Sequence, residues 1–217
     1  MKIRWWTFTT WLWLLSVAVL LTIYLAWFIY PLEVSYLGLE KVVFLTKKTI
    51  LSNFNILMNY LTNPFAHRLS LPAFHSSKSG LKHFADVKHL FHLAQAVFVL
   101  LSLPTWRFLK NSRAEKSLFL HQRVFITAAL APIIIGLAAL LTGFDTFFTL
   151  FHQVLFPGDS SWLFNPATDP VIWILPEEFF LHCFLVFFVI YELIMLILVF
   201  KGKRELKQRL RAKEDSQ

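Results

Sequence analysis

Four long apolar stretches, joined by connections of very unequal basic charge, restrict this chain of 217 residues to one class of fold. Residues 5–30 carry no charged side chain, and a helix needs only about 20 such residues to cross a hydrocarbon core. A second stretch around 87–108 is interrupted by Gln95 and Pro104. A third covers 124–145 and contains Pro132, Gly136 and Gly143. The fourth, 179–200, contains a single acid, Glu192. The pattern predicts an all-α membrane protein with four transmembrane helices in one membrane domain.

Basic residues orient these spans. Arg107, Lys110, Arg113, Lys116 and Arg123 crowd 107–123, and the tail 201–217 holds seven of the 21 Lys and Arg, whereas none lies between Asp145 and Glu178. By the positive-inside rule, 107–123, the tail and both termini are expected in the cytoplasm. Segments 31–86 and 146–178 then form an extracytoplasmic cap. The first of these is itself basic, but long loops translocate largely regardless of charge. Within it Ile50, Phe54, Leu57 and Leu61 recur on one helical face, which predicts an amphipathic helix beginning near Lys47 and Lys48 and ended by Asn63-Pro64. Ser76 to Gly80 reads as a turn before the second span.

A chain that is 57% hydrophobic and 16% charged lies outside the composition of soluble domains. Its net charge of +8 sits in blocks flanking the spans, so no nucleic-acid partner is expected. The N-terminal stretch is too long for a secretory signal and lacks a small-residue cleavage site, so it reads as a retained anchor. Cys183 stands alone and predicts a buried apolar filler rather than a disulfide. Trp5, Trp6, Trp106, Trp162 and Trp173 read as interfacial belt residues.

Depth singles out two histidines. Counting outward from Arg107 at about 1.5 Å per residue puts His83 roughly 36 Å away, and an unbroken helix from Arg123 puts His152 at roughly 43 Å. A bilayer with headgroups is about 40–45 Å thick, so both imidazoles belong at the outer surface. Asp86 and Asp159 stand near them in sequence, and a carboxylate beside an imidazole can fix its tautomer. Of the other histidines, His67, His75 and His121 read as loop or surface residues and His182 as facing the bundle interior. His89 and His92 could join His83 in a metal-dependent hydrolase, but such spacing arises readily by chance, and no metal or cofactor is expected. Glu192 is expected to snorkel toward the cytoplasm or hydrogen-bond within the bundle.

Two blocks carry a resemblance. Gly80-Leu81-Lys82-His83-Phe84-Ala85-Asp86-Val87-Lys88-His89-Leu90-Phe91 is the first. The second runs from Phe151-His152-Gln153-Val154-Leu155-Phe156 through Asp159, Trp162 and Asn165-Pro166-Ala167-Thr168-Asp169 to Pro176-Glu177-Glu178-Phe179-Phe180. Together they resemble the signature blocks of the bacterial lipoprotein intramolecular transacylases, four-span proteins of the cytoplasmic membrane. The resemblance implies transfer of the glyceryl sn-2 acyl chain of a diacylglyceryl lipoprotein to the α-amine of its N-terminal Cys, leaving a lyso-form lipoprotein. It places the family's two essential histidines at His83 and His152. The expected partners are that lipoprotein and membrane lipid, with the site at the extracytoplasmic face. Asp86, Asp159, Trp162, Phe84, Phe151 and Phe156 are expected to support the pair or contact substrate. The competing reading is a non-enzymatic membrane subunit or small transporter, against which the scarcity of intramembrane charge and the lack of a repeat both argue.

Overall fold

A computed structural model describes residues 2–215. Seven α-helices follow in order among them: α1 (Lys2–Tyr36), α2 (Leu39–Val43), α3 (Lys47–Thr62), α4 (Lys78–Ala114), α5 (Gln122–Thr142), α6 (Phe144–Leu155) and α7 (Glu177–Glu214). Short 3₁₀ turns occupy Leu118–His121 and Pro170–Ile174. Four helical stretches are long and apolar enough to cross a membrane: Trp5–Tyr36, Lys78–Ala114, Leu118–Thr142 and Glu177–Glu214. The protein is an all-α, multi-pass membrane protein. Much of its surface is accordingly apolar, including Phe28, Leu32, Leu140, Leu141 and Val189, because backbone groups are satisfied within helices and side chains can face lipid.

The helices divide into two compact units. One comprises residues 1–21, 95–141 and 186–217. Its core joins Leu14 and Ala18 to Leu118, Phe125, Ala129, Tyr191, Met195 and Val199. Polar side chains here are bonded across helices: Trp11 Nε1 donates to the Tyr191 hydroxyl over 2.8 Å, which donates in turn to the Ala128 carbonyl over 3.1 Å. Trp13 Nε1 donates to the Phe98 carbonyl and the Ser102 hydroxyl. His121, expected at the surface, is instead buried and hydrogen-bonded to the Thr7 hydroxyl. Hydropathy cannot anticipate that bond, since its partner lies 114 residues away. Glu192 is buried here too, and its Oε1 has no hydrogen-bond partner among the described residues.

The other unit comprises 22–94 and 142–185. Helix α3 starts at Thr46, whose hydroxyl accepts from the Thr49 amide over 3.3 Å, the usual satisfaction of an orphan N–H by a cap. It buries Ile50, Phe54, Leu57 and Leu61, the face read from the sequence, together with Asn53, Met58 and Tyr60. Asn53 is bonded at both ends of its amide, donating to Thr49 O and accepting from Ala73 N, which holds the 71–74 turn against the helix. Tyr30 stacks on Phe54 and donates its hydroxyl to the Ile174 carbonyl over 2.6 Å. Lys88 lies over the Tyr60 ring at 4.4 Å and donates to the Asn63 and Ala66 carbonyls just beyond α3, which ties α4 to the turn that follows that helix.

Helix α4 extends beyond both ends of the 87–108 stretch and begins within the predicted turn. The third apolar stretch is not one helix. Helix α5 stops at Thr142, and Gly143, at φ 87, turns the chain into α6. That conformation costs a glycine little because it has no Cβ. The depth estimate that placed His152 by an unbroken helix from Arg123 therefore does not describe the chain.

Candidate active site

His83 comes from the second turn of α4 and His152 from the last turn of α6. The two are 6% and 8% exposed, and their ring centroids are 5.8 Å apart. Both lie in the second unit. Their surroundings are aromatic on nearly every side. Phe156 meets the His83 ring edge-on at 5.0 Å and Phe164 does so at 5.5 Å. Trp162 stacks on His152 at 4.8 Å with planes 25° apart, while Phe148 and Phe151 approach at 4.3 and 5.6 Å.

The two imidazoles differ in their hydrogen bonding. His152 Nδ1 lies 2.8 Å from the Phe148 carbonyl oxygen. A carbonyl can only accept, so Nδ1 carries the proton and Nε2 of the neutral ring keeps its lone pair. Burial holds the His152 pKa below its ordinary 6.5, because a buried ring resists charging. The neutral, base-competent form thus prevails at pH 7. His83 Nδ1, by contrast, is buried with no hydrogen-bond partner among the described residues. Leaving such an atom unpaired costs on the order of 1–3 kcal/mol, which makes it a natural place for a reacting group to bind.

The carboxylates behave differently from the sequence expectation. Neither Asp86 nor Asp159 bonds an imidazole; both bind the Lys82 ammonium, Asp86 at 2.7 Å and Asp159 more closely. Lys82 beside it, with the Ser161 amide, holds the Asp159 carboxyl down at about 2. Trp162, expected both as a belt residue and in support of the pair, covers His152, and its Nε1 donates to the Asp159 carbonyl over 3.0 Å. Phe84 is buried next to His83 and packs on Phe164 at 5.3 Å. Phe151 extends toward Phe184 and Phe147, continuing the aromatic lining along α6 and α7. A cleft of about 510 Å³ borders the pair through Phe156 and Trp162 and is also lined by Gln153, Asp159 and Leu163.

Phe164, Lys82 and Asp169 are absent from the sequence reading of the site. Asp169 is 3% exposed; one oxygen accepts from the Ser77 amide at the start of α4 and the other from the Thr168 hydroxyl. The helix that bears His83 is capped by the Ser77 hydroxyl, which accepts from the Gly80 amide over 3.0 Å, and the Asp169 carboxylate holds that cap residue in place. The remaining histidines lie apart from the pair. His75 is exposed and bonds the Ala167 carbonyl, and His67 is exposed. His182, expected inside the bundle, is partly exposed and pairs through Nδ1 with Glu33 at 2.9 Å. Its neighbour Cys183 is only partly buried. His83, His89 and His92 do not form a metal-binding group: no three metal-ligating side chains converge among the described residues.

The lipoprotein intramolecular transacylase Lit is the family whose model matches this chain, over residues 5–180. The chain belongs to that family. It is therefore an acyltransferase of the membrane, a lipoprotein intramolecular transacylase. The solved structure of Lit from Bacillus cereus is 25% identical, with a TM-score of 0.83 over 95% of this chain and 94% of that one. Two variants of the same protein, each with one histidine replaced, are also similar. The arginine variant is 26% identical, with a TM-score of 0.75 over 96% of this chain and 94% of that one. The alanine variant is 25% identical, with a TM-score of 0.76 over 95% and 92%. Among curated proteins none matches this chain.

One prediction follows from the His152 environment alone. If the neutral ring is needed, kcat/KM falls on acidification with a midpoint below 6.5, since the folded-state pKa is depressed and activity is lost as pH drops through it. A pH–rate profile with its acid limb at or above 6.5 would contradict this.

Proposed function

We propose that the chain moves the sn-2 acyl group of an S-diacylglyceryl, free-amine lipoprotein onto the α-nitrogen of its N-terminal Cys, using His152 as base and His83 as partner to the developing charge. The observation that carries this reading is the meeting of two buried imidazoles, 5.8 Å apart, one with its Nε2 lone pair free. An α-ammonium has a pKa near 8, and its nitrogen is no nucleophile until it loses a proton. His152 Nε2 takes that proton. The amine then forms a bond to the ester carbonyl carbon, and the carbonyl oxygen becomes an oxyanion to which His83 can donate. Collapse breaks the bond to the glyceryl oxygen, which receives a proton from the imidazolium. The ammonium begins with three N–H bonds and the amide keeps one, so one proton ends on the glyceryl hydroxyl and the other leaves to water. No acyl-enzyme is formed, and neither a Ser nor a Cys nucleophile is required.

Because amine and ester belong to one molecule, the main task is to fold the substrate on itself. The aromatic walls formed by Phe84, Phe151, Phe156, Phe164 and Trp162 suit the acyl chains and keep water from the ester. Membrane lipid is the surrounding solvent and the source environment of the substrate. The charge distribution supports cytoplasmic termini and a site at the extracytoplasmic face of a bacterial cytoplasmic membrane, with 31–86 and 146–178 as its cap and 107–123 and 201–217 inside.

Mass spectrometry of lipoprotein N-termini, with and without the protein, tests the reading. An internal transfer leaves the total mass unchanged, so the expected result is loss of amine reactivity together with fragments that carry one acyl chain on nitrogen. A free amine in both samples, or a mass gain equal to one acyl chain, would exclude it.

A further inference from the structure

We infer that Lys82 is a positioning residue for the transacylase reaction: by binding Asp159 it latches the loop after α6 to α4 and so holds Trp162 on the face of His152. This inference rests on the proposed function of the histidine pair.

The chain of contacts is continuous and short. Lys82 precedes His83 on α4 and is 57% exposed, with a side chain that would move freely were it not held by two carboxylates. Asp86 lies four residues on along the same helix, and its 2.7 Å contact fixes the direction of the Lys82 side chain. Asp159 is the partner from elsewhere in the chain, 77 residues later. Its second oxygen accepts from the Ser161 amide over 2.8 Å, and its carbonyl accepts from Trp162 Nε1 over 3.0 Å. A single residue thus meets α4 through its side chain and the tryptophan through its backbone. Among the described residues, no other hydrogen bond or ion pair joins residues 157–163 to α4. Gly158, at φ 74, lies immediately before Asp159, where the freedom that allows the turn also makes the loop easy to displace.

An exposed ion pair adds little to stability, commonly under about 1 kcal/mol. Placement is a different matter, since a displacement of about 1 Å near a reacting centre can cost on the order of a hundredfold in rate. Trp162 covers one face of His152 and shields it from water, while the Nδ1 bond to Phe148 holds the ring plane. Releasing Trp162 would let the ring hydrate.

The test uses the full-length protein in detergent or nanodiscs, with a synthetic diacylglyceryl lipopeptide bearing a free N-terminus. Rate and the titration midpoint of ¹⁵N-labelled His152 are both read for Lys82→Gln, Lys82→Arg, Asp159→Asn and the Lys82→Gln/Asp159→Asn double variant. The groups facing His152 that titrate or carry charge are His83 on α4 and, further out, the Lys82, Asp86 and Asp159 cluster. Through-space charge alone would move the midpoint up in Lys82→Gln and down in Asp159→Asn, because one removes a positive and the other a negative group. The latch moves both up toward 6.5, as His152 gains water. It also lowers the rate about tenfold or more in each, leaves Lys82→Arg near the starting rate, and makes the double variant no worse than either single one. Midpoint shifts of opposite sign, multiplicative losses, or a lost rate with an unmoved midpoint would overturn it. If Lys82→Gln fails to fold, Asp159→Asn carries the same comparison from the other side of the pair. Should the starting protein leave the lipopeptide unchanged, the proposed function fails, while the midpoints still decide whether the latch exists.

Discussion

Replacing His152 by Gln is expected to lower the rate of lyso-form production by about 10²–10⁴-fold, the range that a positioned general base supplies. Gln keeps a flat, polar group that Trp162 can still cover, so the loss reports chemistry rather than collapse of the aromatic wall. His83→Leu is expected to lose comparably, because no N–H remains there to donate to the oxyanion. Removing a single oxyanion donor costs about 10²–10³-fold in hydrolases that use one. The two losses should not multiply: residues that act on one transition state as a unit are strongly non-additive. Thermal unfolding in detergent is the necessary control, and either variant should stay within a few degrees of the unaltered protein. Full activity in both single variants would remove the histidine pair from the mechanism, whatever the substrate proves to be.

The largest expected effect on stability comes from a glycine. A Cβ at Gly80 would sit 2.9 Å from both the Asp169 carboxyl carbon and the Phe164 ring, and closer still to an Asp169 oxygen. Neither neighbour can retreat cheaply. Asp169 is held by the Ser77 amide and the Thr168 hydroxyl, and Phe164 lies between the His83 and Phe84 rings. Overpacking of this kind costs about 1–3 kcal/mol, and displacing a buried carboxylate from its donors adds to it. Gly80→Ala is therefore expected to unfold several degrees lower than the unaltered protein and to lose most of its activity, since the same two neighbours seat His83. Gly136→Ala is the matched control: its Cβ would meet only Phe188, at 3.9 Å, an ordinary contact. It should be neutral or slightly stabilising, as expected for Ala replacing Gly within a helix. Equal melting temperatures for the two variants would show that the approach at Gly80 is looser than described.

The spans were legible because hydropathy needs no partner: a long apolar run reads the same wherever it packs. The buried face of α3 was legible for a related reason, its period being local. Depth singled out His83 and His152, and for His83 the premise of the count holds, because α4 is continuous from it to Arg107. For His152 the reasoning failed in detail, since Gly143 reads as a tolerated glycine within an apolar run and nothing nearby in sequence marks it as a break. The errors share one cause. Asp159, expected to support the histidine pair, lies on Lys82, and His121, expected at the surface, is buried against Thr7. Each depends on a contact between segments far apart in the chain, carried by irregular backbone that has no period to read. Asp169 and Phe164 escaped for the same reason, although the small residue at Gly80 is the trace their close approach leaves in the sequence.

The bond from the Ser77 amide to Asp169 joins residues 92 positions apart, and this sets an order of events during biogenesis. When a ribosome has delivered the first half of the chain, the end of the helix carrying His83 has no anionic group to terminate it, and the wall opposite has not been made. The Ser77 hydroxyl caps that end locally, but the brace from Asp169 comes only later, with Phe164 arriving in the same stretch. Nascent and truncated chains should consequently be catalytically silent, so that a half-built protein poses no hazard to the esters of the bilayer in which it is assembled.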